Sequence, residues 1–148
     1  ESFDRVFATK IDSLLLLSQA LKPDSLKALV LFSSVAGRFG NRGQCDYAAA
    51  NEVLNRWGCR LRQQWPAVRV LSAIWGPWAG GGMAAAGHGE IFAARGIRPI
   101  DPQEGLRFLS LEFAHGIDSP VEVVAGAGNW ADMLQSTAMI SAQESLSR

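Results

Sequence analysis

Four polar side chains of this sequence have the types that the reduction of a carbonyl group requires. Ser34 directly follows a short apolar run, Tyr47 and Asn51 lie four residues apart, and Lys10 lies in an earlier apolar-periodic segment. Carbonyl reduction needs a hydride donor, a proton donor and a group that holds the carbonyl oxygen. A tyrosine hydroxyl can donate the proton, so the chemistry that this set predicts is proton transfer to a carbonyl oxygen.

Each of the four side chains has a distinct expected role. A phenol has an ordinary pKa of about 10, and a nearby ammonium such as that of Lys10 favours the phenolate and lowers this pKa. Ser34 can donate a hydrogen bond to the carbonyl oxygen and steady the charge that develops there. Asn51 can hold a water or a backbone group that re-supplies the proton. A single lysine of this kind is more often a solvated surface residue, a single serine a turn residue, and a single tyrosine a packing residue. The prediction therefore depends on the spacing of these residues.

The elements that must position these side chains alternate between helices and strands. Apolar periodicity predicts helices, and short apolar runs without alternation predict strands buried on both faces. This order predicts an α/β fold with right-handed crossovers, a parallel sheet and ligands bound beyond the carboxyl ends of the strands. The predicted helices are 3–21, 45–65 and 102–113, and the predicted strands are 28–32, 68–74 and 121–125.

Three further segments carry weaker patterns. Gly37, Gly40 and Gly43 predict a polar loop between the first strand and the second helix. The Gly- and Ala-rich stretch 79–89 has little to pack and predicts a mobile lid. Residues 131–148 are polar and Ser-rich, which predicts a linker or an exit helix after a domain that ends near residue 130.

Composition excludes several classes of protein. The 148 residues carry 14 Lys+Arg and 14 Asp+Glu, so net charge attracts neither nucleic acid nor anionic lipid. No apolar stretch reaches the roughly 18 residues of a membrane helix, and no secretory signal is evident. Cys45 and Cys59 fall in one predicted helix roughly 20 Å apart, too far for a disulfide, which suits a reducing, cytoplasmic setting. His88 and His115 have no other metal-ligating residues at suitable spacing, so we expect no metal site.

The spacing of the four side chains resembles that of a known family. The resemblance rests on three stretches of sequence, Leu31-Phe-Ser-Ser-Val-Ala-Gly37, Gly40-Asn-Arg-Gly-Gln44 and Asp46-Tyr-Ala-Ala-Ala-Asn51. They resemble the ketoreductase domains of modular polyketide synthases and animal-type fatty acid synthases, within the short-chain dehydrogenase/reductase superfamily. That resemblance places the serine 13 residues before the tyrosine at Ser34, and an asparagine four residues after it at Asn51. Most of the superfamily has lysine there, whereas the ketoreductases take it from the preceding helix, at Lys10.

The resemblance continues beyond the second helix. The stretch Ala73-Ile-Trp-Gly-Pro-Trp78, followed by Gly82 and Met83, matches the loop that borders the nicotinamide in the family and the lid after it. The resemblance therefore implies cofactor contacts for Gly76 and Pro77, together with Tyr47 and Lys10. It also implies that the substrate side of the site is bordered by four residues, namely Trp78, Met83, Gln44 and Phe39.

What the resemblance implies is the C-terminal half of a Rossmann-like doubly wound sheet, over residues 1–130. No G-x-G-x-x-G turn lies between a strand and a helix, so NADPH is implied by resemblance alone. Glu1 in place of Met suggests a piece of a longer polypeptide, and the missing N-terminal half of the same domain is an expected partner. Phe39 stands where one stereochemical class has Trp, so that class has no support.

The implied function is NADPH-dependent reduction of a β-ketoacyl group that phosphopantetheine tethers to an acyl carrier protein. Other synthase domains are then expected partners, and nucleic acid and membranes are not. Two alternatives stay open. One is a free-standing short-chain carbonyl reductase. The other is a non-catalytic structural or docking half-domain of a synthase.

Overall fold

Three parallel strands form a sheet in which β2 (Arg69–Trp75) lies between β1 (Ala28–Ser34) and β4 (Glu122–Ala125). The structure, a computed structural model, describes residues 2–80, 93 and 96–130. Every residue of β2 is buried, as predicted for a strand covered on both faces. At the carboxyl ends of the strands, Trp75 lies in register with Ser34 on one side and with Ala125 on the other. The predicted parallel α/β arrangement is therefore confirmed.

Helices cover both faces of this sheet. Helices α1 (Ser2–Ala20) and α3 (Cys45–Gln64) pack together over the face that carries Leu31. On the opposite face, Trp75 contacts Phe108 of α4 (Pro102–His115) edge-on at 5.1 Å and Phe32 at 5.5 Å between ring centroids. The buried core on the α1–α3 side consists of Ile11, Leu14, Leu31, Leu54, Leu61, Trp65, Val68 and Val70.

The predicted polar loop after β1 was wrong over its first part, where residues 35–39 form the short helix α2 (Val35–Phe39). Ser34 caps this helix, since its Oγ accepts a hydrogen bond from the Ala36 amide at 3.2 Å. Gly37 packs against α3 so closely that a Cβ there would lie 2.8 Å from the Asn51 Cβ. Gly40 ends the helix with φ of +73°. Position 37 is therefore a glycine because two helices approach closely there. From the residue type alone, a turn had been predicted.

A second unit contains residues 76–104 and 126–148. Within its described part, β3 (Ile97–Arg98) pairs antiparallel with β5 (Ala127–Gly128), and an isolated bridge joins Trp78 to Ile100. These two-residue strands were not predicted. Most of the predicted lid and all of the predicted exit segment lie outside the described residues.

Neither a membrane span nor a metal cluster is found in the part of the chain that the structure describes. No helix of that part combines the length and the hydropathy that a bilayer crossing requires. Nor do three or more His, Cys, Asp or Glu side chains come close enough there to hold a metal ion. Cys45 and Cys59 both lie in α3 as predicted, and both are free thiols.

Candidate active site at the carboxyl ends of the strands

Ser34 lies at the junction of β1 and α2, where the chain turns away from the sheet. The serine is buried, and its Oγ accepts the hydrogen bond from the Ala36 amide that caps α2. A hydroxyl can accept and donate at once, so the cap leaves the O–H of Ser34 available as a donor. No hydrogen bond from this O–H to another described residue is found. The cap thus fixes the oxygen, and the O–H can donate to a ligand.

Tyr47 and Asn51 lie on successive turns at the start of α3. Residues four apart share one face of a helix, and here the Asn51 Nδ2 also donates a hydrogen bond to the Tyr47 carbonyl oxygen at 2.7 Å. Asn51 is fully buried, and its Oδ1 has no donor among the described residues. Tyr47 is half-buried, and no described residue is bonded to its hydroxyl. This pair therefore adds one buried acceptor and one hydroxyl that have no hydrogen-bond partner among the described residues.

Lys10 reaches this pair from α1. Its Nζ donates a hydrogen bond to the Phe32 carbonyl oxygen of β1 at 3.2 Å and lies 5.6 Å from the centroid of the Tyr47 ring. Burial lowers the pKa of the Lys10 ammonium below its ordinary value of 10.5. The structure thus brings together Lys10, Tyr47 and Asn51. The ammonium of Lys10 also binds β1 at Phe32, two residues before Ser34. Elements α1, β1 and α3 each supply part of this arrangement.

Phe39 and Gln44 lie on the connection between Ser34 and Tyr47. Phe39 is the last residue of α2 and is half-buried. Gln44 is the N-cap residue of α3, and its Oε1 accepts a hydrogen bond from the Asn41 Nδ2 at 2.7 Å. Both residues thus lie within the segment that joins the two predicted reacting groups, and their contact with a substrate stays a prediction.

The remaining predicted contacts lie in the second unit or outside the described residues. Gly76 and Pro77 follow the last residue of β2, and Gly76 is buried. The Pro77 carbonyl accepts a hydrogen bond from the Ile100 amide at 2.7 Å, and the adjoining bridge holds the half-buried Trp78. Met83 falls outside the described residues, so its predicted place in a lid stays a prediction.

Sequence reasoning pointed to Ser33 and Ser34 together as one place where a ligand could bind, but it gave Ser33 no role of its own. Its Oγ donates a hydrogen bond to the Asn51 carbonyl oxygen at 3.1 Å, and both residues are buried. The predicted strand ended at residue 32, whereas β1 continues to Ser34. Side chains alternate along a strand, so a longer strand would have placed Ser33 on the α3 face and Ser34 on the other.

Comparison with known proteins gives concordant matches. Residues 1–80 match the family model described as the KR domain. The chain is 40% identical over 130 residues to a component of the polyunsaturated fatty acid synthase of Thraustochytrium sp., covering 88% of the chain and 4% of that protein. It is 41% identical over 96 residues to the erythronolide synthase EryA3 of Saccharopolyspora erythraea, covering 65% of the chain and 3% of that protein. The chain therefore spans only a small part of these relatives.

Solved structures give the same result. The first ketoreductase of the tylosin polyketide synthase is 37% identical, with a TM-score of 0.73 over 94% of this chain and 30% of that one. A C2-type ketoreductase from a modular polyketide synthase is 31% identical, with a TM-score of 0.71 over 88% of this chain and 27% of that one. The predicted resemblance is therefore confirmed. With its Rossmann-like α/β fold, the chain belongs to the KR domain family, the ketoreductase domains of polyketide synthases.

Proposed function

We propose that this chain carries the proton donor and the carbonyl-holding groups for NADPH-dependent reduction of a β-ketoacyl group. The observation that carries the proposal is the position of the Lys10 ammonium, 5.6 Å from the Tyr47 ring centroid. A cation there can stabilise the negative charge that develops on the phenol oxygen as its proton leaves. Membership of the KR domain family supports the class of reaction, an oxidoreductase acting on a ketoacyl group.

The residues present suit the nicotinamide end of NADPH. The ammonium of Lys10 is a donor that suits the ribose hydroxyls next to the nicotinamide. No glycine-rich turn for the pyrophosphate occurs in the sequence, so we expect those contacts from residues outside these 148. When bound, NADPH supplies the hydride that reaches the carbonyl carbon.

The side chains divide the remaining work. The O–H groups of Ser34 and Tyr47 both donate hydrogen bonds to the carbonyl oxygen, which orients it and stabilises the negative charge that grows there. The Tyr47 proton then moves to that oxygen, and the product is a β-hydroxyacyl group. Lys10 stabilises the phenolate that remains. The open Oδ1 of Asn51 accepts a hydrogen bond from a water through which the phenolate regains its proton.

We further propose that the substrate arrives tethered by phosphopantetheine to an acyl carrier protein. Support comes from the length of the relatives. This chain matches only 3–4% of two synthases, which therefore carry many other domains. The N-terminal half of the same domain and other synthase domains are then its partners.

The test is Tyr47→Phe in the synthase polypeptide that contains this chain. The change removes one hydroxyl that no described residue binds, so folding and NADPH binding should persist. Turnover of a β-ketoacyl substrate should fall by about 10²–10⁴-fold, the usual loss when a positioned acid is removed. NADPH fluorescence titration and thermal unfolding serve as controls. Turnover within twofold of wild type would contradict the proposal, and a wild-type protein without turnover would favour the docking alternative.

A further inference from the structure

Two buried serines join α3 to the sheet, one from each neighbouring strand. The Ser33 Oγ of β1 donates to the Asn51 carbonyl oxygen at 3.1 Å, and the Ser72 Oγ of β2 donates to the Asn55 Oδ1 at 2.7 Å. Their partners lie one helical turn apart, and all four residues are buried. The two hydrogen bonds are therefore alike in burial and in the elements that they connect.

The two bonds differ in what lies beyond them. Asn51 also holds the Tyr47 carbonyl through its Nδ2, and Ser33 is covalently next to Ser34. An unbroken chain of bonds therefore runs from Ser34 through Ser33 and Asn51 to Tyr47. The partner of Ser72 leads elsewhere, because the Asn55 Nδ2 donates to Glu52 at 3.0 Å, further along α3 than Tyr47.

Packing alone does not explain a serine at position 33. The Asn51 carbonyl lies within α3, where it can accept the usual helical hydrogen bond, so it does not need the hydroxyl. An alanine would fill nearly the same space without a buried polar group that requires a partner. The hydroxyl instead joins β1 to α3 at the residue whose side chain holds the Tyr47 carbonyl.

We propose that Ser33 is a positioning residue for the reduction, which fixes the separation of Ser34 and Tyr47 through the Asn51 carbonyl. This inference rests on the proposed function, because it presumes that Ser34 and Tyr47 act on one carbonyl oxygen. Both donors must reach that oxygen at once. A small displacement of one of them therefore reduces the stabilisation of the transition state more than it reduces the affinity for substrate.

The experiment compares Ser33→Ala with Ser72→Ala in the synthase polypeptide that contains this chain. Both variants lose one buried strand-to-helix bond, so their urea midpoints should fall by similar amounts. Only Ser33→Ala should lower kcat, by about tenfold, with KM changed less than twofold. Ser72→Ala should keep the wild-type kcat and KM, because the partner of Ser72 bonds to Glu52 and not to Tyr47.

Two further variants guard against a general loss of folding. Ser33→Thr keeps the hydroxyl and should restore kcat even if its extra methyl group lowers the urea midpoint. Ser33→Cys keeps the shape of the side chain with a slightly larger atom and a much weaker donor, and should lower kcat while the protein still folds. Equal kcat losses in Ser33→Ala and Ser72→Ala, or full kcat in Ser33→Cys, would overturn the inference. Tyr47→Phe in the same series separates this result, since its full activity would instead overturn the proposed function.

Discussion

At the scale of single residues, Lys10 combines a proposed catalytic role with an environment that disfavours its charge. Its ammonium is partly buried between a β1 carbonyl and the Tyr47 ring, and burial lowers its pKa. The protein thus holds a charge where charge is costly, as is common at functional sites. This side chain leads to one prediction on catalysis and one on stability.

For catalysis, Lys10→Met keeps the length of the side chain and removes its charge. The charge that develops on the Tyr47 oxygen during proton transfer then lacks the ammonium beside the ring, so the transition state is less stable. We therefore expect turnover to fall. Lys22→Met, at a lysine just after α1, removes one charge and should keep the wild-type rate. An unchanged rate in Lys10→Met would make Lys10 an ordinary surface lysine.

For stability, the lowered pKa of Lys10 gives a defined pH dependence. Between this lowered pKa and the ordinary value of 10.5, the folded protein has released a proton that the unfolded chain still binds. Linkage then makes the free energy of unfolding rise with pH across that window. Urea unfolding at several alkaline pH values should show a smaller rise in Lys10→Met than in Lys22→Met. Equal slopes in the two variants would contradict a desolvated ammonium.

At the scale of elements, the close approach of α2 to α3 depends on Gly37. A Cβ there would lie 2.8 Å from both the Asn51 Cβ and the Glu52 amide nitrogen, so Gly37→Ala must push α2 away from α3. We expect a loss of about 1–3 kcal/mol in the free energy of unfolding, with lower turnover because Ser34 caps α2.

The control is Gly58→Ala, in the middle of α3. Its nearest neighbour would be the flexible Leu31 Cδ1 at 3.2 Å, and alanine favours a helix over glycine by about 1 kcal/mol. Urea unfolding should therefore show a smaller loss in Gly58→Ala than in Gly37→Ala. The reverse order would mean that α2 can move without cost.

The same elements show how far the sequence predicts the structure. Apolar periodicity and buried runs predicted six elements with ends correct within about two residues. The pattern failed where a residue type serves an unusual purpose. Ser33 is polar yet continues a buried strand because Asn51 accepts its hydrogen bond, and Gly37 lies inside a helix because α3 leaves no room for a side chain. Such purposes depend on a neighbour distant in sequence, which local patterns do not contain.

At the scale of the whole molecule, the sheet is open along β1. Among the described residues, β1 pairs only with β2, and the ring of Phe32 on this edge strand is 53% exposed. An apolar, unpaired edge favours association between chains. The sequence also lacks the glycine-rich turn that would hold the NADPH pyrophosphate.

We therefore predict that the 148 residues, produced alone, bind NADPH very weakly and self-associate. Calorimetric titration with NADPH and light scattering would measure the two properties. Supplying the glycine-rich half of a ketoreductase domain, in the same polypeptide or as a separate chain, should restore binding and reduce association. Tight NADPH binding by a monomer of the 148 residues would mean that the cofactor contacts have been assigned to the wrong segments.

The crossover from β1 through α3 to β2 carries Ser34, Tyr47 and Asn51 on one continuous stretch of chain. Parallel strands cannot pair through a tight turn, so β1 and β2 are joined through the helix between them. We therefore expect the pairing of these two strands and the assembly of the three side chains to be lost together on unfolding. In a urea titration of the active synthase polypeptide, the loss of turnover should then follow the same curve as the loss of β1–β2 amide protection, with no inactive intermediate in which the strands remain paired.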